Sequence, residues 1–209
     1  MALGFLRDTT MDIFLYDEIG AFNLTAQWFT NELAKASGQV TLHLNSPGGQ
    51  IFEGLAIYAA INKHPSPITV EVDGLAASIA SIIAMAGQPI KMASNAMLMI
   101  HNATTMVQGD AAALKKQANT LEQVQAQLVD IYARKTKLPV ARIVEMMDAE
   151  SWLSATDAHA LGFVDEIMQP MRMAACFDLS QFRNAPRILT KSTPRLDAYR
   201  TRYAELTTA

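Results

Sequence analysis

The chain has 209 residues, half of them hydrophobic, and carries 17 Lys and Arg against 20 Asp and Glu for a formal charge of −3. That length suits one domain, or one domain with an appendage, and leaves enough chain to bury a sizeable core. A pI near 5.8 excludes a sequence-independent grip on nucleic acid, which needs a strong basic excess. Cys176 is the single cysteine, so an internal disulfide framework is excluded and a reducing cytoplasm is the expected setting. Charged residues make up 18%, below the roughly 25% of an ordinary soluble chain; a homo-oligomer that hides apolar surface is expected. Asp8, Asp12, Asp17 and Glu18 interrupt any signal-peptide hydrophobic region. The longest apolar run, Leu75 to Gly87, falls short of the roughly 18 residues of a membrane span, so no membrane partner is expected.

In chain order, Met11 to Tyr16 is strand-like, and Leu24 to Leu33 places Trp28, Phe29 and Leu33 on one helical face. Val40 to Asn45 alternates as a strand does, with Val40, Leu42 and Leu44 on one side and Thr41, His43 and Asn45 on the other. The turn Ser46-Pro47-Gly48-Gly49 follows, then a helical run from Ile51 to Asn62 that Pro65 stops. Ile68 to Val72 is a short β-branched strand. Asp73-Gly74 predicts a turn into an apolar helix from Ala76 to Ala86, closed by Gly87. Short strands around Ile90 to Ala93 and Met97 to Ile100 lead to His101. Strands alternating with helices of this length predict an α/β fold with a largely parallel sheet.

The next element is of another kind. From Asp110, a plausible N-cap, to about Arg134 there is no Gly or Pro, and Leu114, Leu121, Val124, Leu128 and Ile131 form a heptad-like seam. Such a helix is on the order of 35–40 Å long. It either lies across its own core or projects as an arm against another subunit. After Pro139 come a short helix to Met147, the pair Trp152-Leu153, a helix from Thr156 to Leu161 closed by Gly162, and a strand from Val164 to Ile167. The chain therefore divides into a compact part, residues 1–168, and a basic C-terminal extension, residues 169–209. From Pro170 onward seven Lys and Arg face three Asp and Glu, whereas the preceding 169 residues hold ten against seventeen. The extension reads as a docking arm or as a solvated tail.

Three segments carry residues suited to chemistry. Ser78 sits at the start of an apolar helix among small neighbours, where free N–H groups and the positive end of the helix dipole favour a developing negative charge. His101 ends a short strand, and ligands of open α/β sheets bind at carboxyl ends of strands. In Ser46-Pro47-Gly48-Gly49, two glycines permit positive φ and let a backbone N–H face an approaching oxygen; a plain tight turn is the bland reading, and no phosphate-loop motif is present. His43, His64 and His159 are weaker candidates, the last two solvent-facing by context. No pair of histidines has ligand spacing, so no metal and no cofactor is expected. A nucleophile, a base and backbone donors, each at a strand exit, form an acyl-transfer constellation if they converge.

Leu44-Asn45-Ser46-Pro47-Gly48-Gly49, Gly74-Leu75-Ala76-Ala77-Ser78-Ile79-Ala80-Ser81 and Met99-Ile100-His101-Asn102 resemble the signature blocks of the ClpP family of serine peptidases. Trp152-Leu153-Ser154-Ala155 through Leu161-Gly162-Phe163-Val164-Asp165 resembles that family's closing block. The resemblance covers roughly residues 11–168 and is nearest to the phage and prophage type, the head maturation proteases. It implies the ClpP/crotonase-like fold of repeated β-β-α and βαβ units with a long projecting helix. It also implies Ser78 as nucleophile, His101 as general base, and the N–H groups of Gly49 and Ile79 as oxyanion hole. The family's third member is an aspartate three residues before the leucine of the closing block. Counted back from Leu153, that position is Glu150, with Asp148 as the second choice; the two would share a face in an extended segment.

The implied activity is a serine endopeptidase acting on a peptide or protein, in heptameric rings that can stack in pairs, in the cytoplasm, and the phage-type likeness implies a part in phage capsid maturation. Only about ten residues precede the first strand, so the axial loops that meet an unfoldase are expected to be reduced, which leaves a Clp-type ATPase partner open. Two other readings stay open at this point. One is a crotonase-like enzyme acting on a CoA thioester, which would not need Ser78 and His101; the other is a catalytically silent ring scaffold, suggested by Glu150.

Overall fold

The computed structural model describes residues 10–21, 23–171 and 177–190; Asp8, Cys176 and residues 191–209 of the basic extension lie outside them. Strand β1 (Met11–Leu15), helix α1 (Ala26–Leu33), β2 (Val40–Ser46), α2 (Ile51–Lys63) and β3 (Ile68–Ala77) open the chain. The Thr25 hydroxyl caps α1 by accepting from the Trp28 N–H at 3.2 Å. Then come α3 (Ile79–Ala84), β4 (Ile90–Ala93), β5 (Met97–Ile100), α4 (Ala111–Thr136) and α5 (Val140–Asp148). The chain continues through β6 (Ser151–Ser154), α6 (Ala155–Ala160), β7 (Glu166–Met168) and a last turn of helix, α7 (Arg187–Thr190).

Strands β1, β2, β3, β4 and β7 lie in that order and pair in parallel, as the alternation of strands and helices predicts. Strand β3 is twice the expected length and forks the sheet. Its first half pairs with β4 through Val70–Val72, and its second half pairs with β5 through Leu75–Ala77. Strand β6 adds to β5 in antiparallel fashion. The predicted turn at Asp73-Gly74 is therefore replaced by continuous strand, and the helix predicted from Ala76 starts only at Ile79. The reason is pairing: β5 offers Leu75, Ala76 and Ala77 a second parallel partner, and that ladder outweighs the local turn propensity of Asp-Gly.

The side chains of Val40, Leu42, Leu44, Val70 and Val72 point to one face and join Phe29, Ile57, Ile61, Ile82 and Ile83 in a single buried core. The opposite face of the same strands carries His43 and Asp73. His43 Nδ1 lies 2.9 Å from Asp73 Oδ2, which also accepts from the Tyr16 hydroxyl at 2.5 Å, and Glu71 and Asp12 stand within 4.0 Å and 3.6 Å of the ring nitrogens. This carboxylate company raises the His43 pKa: the Asp73 hydrogen bond is the largest influence, partly opposed by burial.

Helix α4 lies across its own core in its second half and runs past it in its first. Asp110 caps it, its carboxylate accepting from the Ala113 N–H at 2.9 Å. In its second half Val124, Leu128, Ile131 and Tyr132 are buried. In its first half Leu114 is exposed, and Leu121 is only half-buried, because the helix there runs beyond the edge of its own core. No helix among the described residues is long and apolar enough to cross a membrane.

Candidate active site

The site is built where β3 ends and α3 begins. Ser78 is the junction residue, with φ 56° and ψ −128°, a left-handed conformation that costs a non-glycine residue about 1–3 kcal/mol. Its N–H continues the β3–β5 ladder by donating to the Met99 carbonyl at 3.0 Å. Its carbonyl accepts from the Ser81 hydroxyl at 2.6 Å, and Ser81 is held in turn by the Tyr132 hydroxyl at 2.7 Å. Pinned from both sides, the peptide directs the Ser78 side chain out of the sheet, and its Oγ lies 2.8 Å from His101 Nε2. His101 leaves the end of the adjacent strand β5, so the Ser–His pair is assembled by neighbouring strands in register rather than by a loop.

Gly48 and Gly49 adopt φ of 100° and 141°. The Ile19 N–H donates to the Gly48 carbonyl at 2.6 Å, and the Gln50 N–H donates to the Ile19 carbonyl at 2.9 Å. These two bonds use the peptides on either side of Gly49 and leave its own N–H without a partner among the described residues. The N–H of Ile79, first residue of α3, is likewise unpaired among them. A Cβ on Gly49 would stand 2.2 Å from the Ile19 carbonyl oxygen, and one on Gly48 would stand 2.7 Å from Ser78 Cβ. Gly49, Ser78, Ile79 and His101 line one cleft, floored by Leu128 and Tyr132 and walled by Ala103 and Thr104. It opens into a groove between the 104–105 segment and α4, reaching Phe52, Gln117 and Leu121.

The two acids behave differently. Asp148 is the last residue of α5, and its carboxylate accepts from Asn102 Nδ2 at 2.7 Å. Glu150 is buried and follows the helix cap with φ 50°. The segment is therefore a helix end with a left-handed kink, and the expected shared face of an extended stretch is absent, because the chain must reverse to enter β6 against β5. The Glu150 carboxylate accepts from the backbone N–H of Asn184 at 2.7 Å, the backbone N–H of Arg183 at 3.0 Å and the indole N–H of Trp152 at 3.3 Å. It influences His101 through its charge, and no described residue hydrogen-bonds His101 Nδ1.

Burial is the main influence on His101 and lowers its pKa; the Glu150 charge opposes this and the Arg183 guanidinium adds to it. For Glu150, burial pushes the pKa up. The amides of Asn184 and Arg183, the Trp152 indole and the His101 charge together outweigh it, so the carboxyl is held below its ordinary value.

Sequence reasoning missed Trp152, Phe182, Arg183 and Asn184 as neighbours of the site. Trp152 stood inside a recognised block, but nothing in local spacing tells that residues 182–184 return to it. His64 and His159 lie away from the cleft, and His43 is on the far face of the sheet.

A family model described as Clp protease matches residues 7–171. The chain belongs to the Clp protease family. It is 31% identical over 151 residues to the ATP-dependent Clp protease proteolytic subunit 3 of Rhodococcus jostii, covering 71% of this chain and 72% of that one. Against the ATP-dependent Clp protease proteolytic subunit 1 of Chlamydia pneumoniae it is 29% identical over 145 residues, with 68% and 75% covered. Against the ATP-dependent Clp protease proteolytic subunit of Deinococcus radiodurans it is 28% identical over 154 residues, with 73% and 76% covered. The α/β architecture with its parallel sheet and long helix is the Clp protease fold, and this family membership supports a peptidase.

Proposed function

We propose that this Clp protease family member is a serine endopeptidase that cleaves peptide or protein substrates as a ring-shaped homo-oligomer in the cytoplasm. The observation that carries the reading is the 2.8 Å approach of Ser78 Oγ to His101 Nε2 at a strained strand–helix junction, flanked by two N–H groups unpaired among the described residues. In the first step His101 Nε2 takes the Ser78 hydroxyl proton while Oγ bonds to the scissile carbonyl carbon. The Gly49 and Ile79 N–H groups receive the resulting oxyanion. Collapse breaks the C–N bond, and His101 returns its proton to the leaving amine, leaving an acyl-enzyme on Ser78. Water then attacks with His101 again as base, and release of the acid product restores the serine. The lowered His101 pKa supports this role, because the imidazole is neutral and ready to accept a proton at neutral pH.

Labelling by a fluorophosphonate probe tests the proposal. The expected result is one covalent adduct per subunit, mapped to Ser78 and abolished in Ser78→Ala and His101→Ala, with hydrolysis of fluorogenic peptides lost in the same variants. An unlabelled Ser78 in the native particle would leave a silent scaffold as the better account. Peptide cleavage that survives Ser78→Ala would remove Ser78 from its assigned role. The phage-type resemblance of the signature blocks adds capsid precursors to the substrates offered in the same assay.

A further inference from the structure

Beyond the family match, which ends at residue 171, the segment from Phe177 to Leu189 returns to the active site. Leu179 and Phe182 are buried with Leu75, Ala77 and Met99, and Phe177, Ala185 and Leu189 pack around them. This second small core sits beneath the Ser78 junction: Ala77 immediately precedes the nucleophile, and Met99 supplies the carbonyl that holds its N–H. The Phe182 ring meets both Trp152 and His101 edge-on, at centroid distances of 5.7 Å and 5.4 Å. The next two residues supply the amides that hold Glu150, while Arg183 Nη2 donates to the Asp148 carbonyl at 3.1 Å and Asn184 Nδ2 donates to the Ala149 carbonyl at 2.9 Å. One stretch of three residues thus ties down the whole turn from 148 to 150.

We infer that residues 182–184 are positioning residues of the catalytic centre: a clamp, contributed by the C-terminal extension, that seats the Glu150 carboxylate and braces the His101 ring. A buried carboxylate left without donors is costly and tends to take up a proton, and a neutral Glu150 would no longer support the imidazolium. Glutamate also has one more rotatable bond than aspartate, so its oxygens need fixing from outside. The backbone amides of Arg183 and Asn184 do this, and Phe182 keys them in place through its burial against Trp152. Arg183 has a second effect. Its guanidinium lies with Nε 3.9 Å from the Glu150 carboxylate, and among the described residues these two are the charged groups acting on the imidazole, in opposite directions.

The inference rests on the serine-peptidase reading, and the experiment separates the two. In the full-length chain, Phe182→Ala is expected to lower kcat by about tenfold to a hundredfold, the scale of a slightly misplaced catalytic group, with KM changed less than about twofold. Phe182→Leu, which refills the small core, is expected to recover most of that loss. Arg183→Ala changes an exposed side chain and leaves the fold intact even where Phe182→Ala does not. Removing its positive charge is expected to move the acidic limb of the kcat/KM profile to higher pH, with KM unmoved. Wild-type kcat, or a higher one, in Phe182→Ala overturns the clamp, and an unmoved acidic limb in Arg183→Ala overturns the part assigned to its guanidinium. A wild-type protein that takes no fluorophosphonate label defeats the peptidase reading itself, whereas a labelled wild type with indifferent variants defeats only the clamp.

Discussion

Replacing Gly49 by alanine tests the oxyanion assignment through a clash that can be measured in advance. The new Cβ would lie 2.2 Å from the Ile19 carbonyl oxygen, 2.8 Å from the Ile19 nitrogen and 2.9 Å from Glu18 Cγ, at a φ of 141°. Two of these three atoms are backbone, so the 48–50 turn has to shift by about 1 Å to restore ordinary contact. That shift breaks the pair of bonds joining it to Ile19, at 2.6 Å and 2.9 Å, worth about 0.5–1.5 kcal/mol each. Adding about 1 kcal/mol or more for the left-handed backbone, the subunit should lose about 3 kcal/mol of stability. The catalytic effect has a separate origin: the displaced peptide carries the Gly49 N–H, and loss of one oxyanion donor typically costs about 10²–10³ in kcat. The assay is steady-state hydrolysis of a fluorogenic peptide beside the rate of fluorophosphonate labelling, each at a temperature where melting curves show the variant folded. The expected result is a fall of about 10²-fold or more in kcat with KM little changed. A folded Gly49→Ala variant with kcat within about fivefold of the parent would refute the reasoning, since a donor of that kind contributes far more.

Three further outcomes follow from the same geometry. Ser78→Gly should melt a few degrees above Ser78→Ala, because glycine accepts φ 56° without the strain of about 1–3 kcal/mol that a Cβ imposes there; equal melting temperatures would show that the junction is unstrained. The acidic limb of kcat/KM should lie below pH 6.5, and Glu150→Gln should move it lower still, since burial lowers the His101 pKa and the Glu150 charge is what opposes that. In the same variant kcat should fall by less than the roughly 10⁴ seen where a triad carboxylate hydrogen-bonds the imidazole, and a limb that rises instead would contradict the electrostatics. His43, raised by Asp73 and its acidic neighbours, contributes stability that is fully present below pH 6.5 and is lost as pH rises through its folded value. Melting curves of the parent minus His43→Gln should therefore converge with rising pH, and a difference that grows would reverse the sign of that coupling.

Much of this site was legible because its parts are local. Ser46 to Gly49, Gly74 to Ser81 and Met99 to Asn102 each place a functional group within a few residues of a strand end. Parallel pairing of β2, β3 and β5 then brings those ends together with no further information. The error at Asp73-Gly74 has the same root: a turn signal is local, whereas the pairing that overrides it comes from Met97 to Met99, more than twenty residues on. The seam of α4 gave the helix and its buried half, but where the core ends beneath Leu114 is a property of the whole sheet. The acid was the least legible member. Its position could be counted from Leu153, yet its donors at 183 and 184 come from a part of the chain whose composition suggests only a basic extension.

Those donors also determine what an aspartate would do at position 150. By family habit Glu150→Asp restores the usual acid and should be neutral or helpful. The structure argues the opposite. The side chain would shorten by one methylene, while the Arg183 and Asn184 amides stay fixed by Phe182 and by the two bonds to the 148–149 carbonyls. The aspartate oxygens would then fall short of two amides whose present distances are 3.0 Å and 2.7 Å, leaving polar groups unpaired at about 1–3 kcal/mol each. The expected result is a melting temperature several degrees lower together with a reduced kcat, measured by calorimetry and peptide hydrolysis on the same preparation. A Glu150→Asp variant as stable and as active as the parent would mean that the acid is seated by the imidazole after all, and that the C-terminal amides are incidental to it.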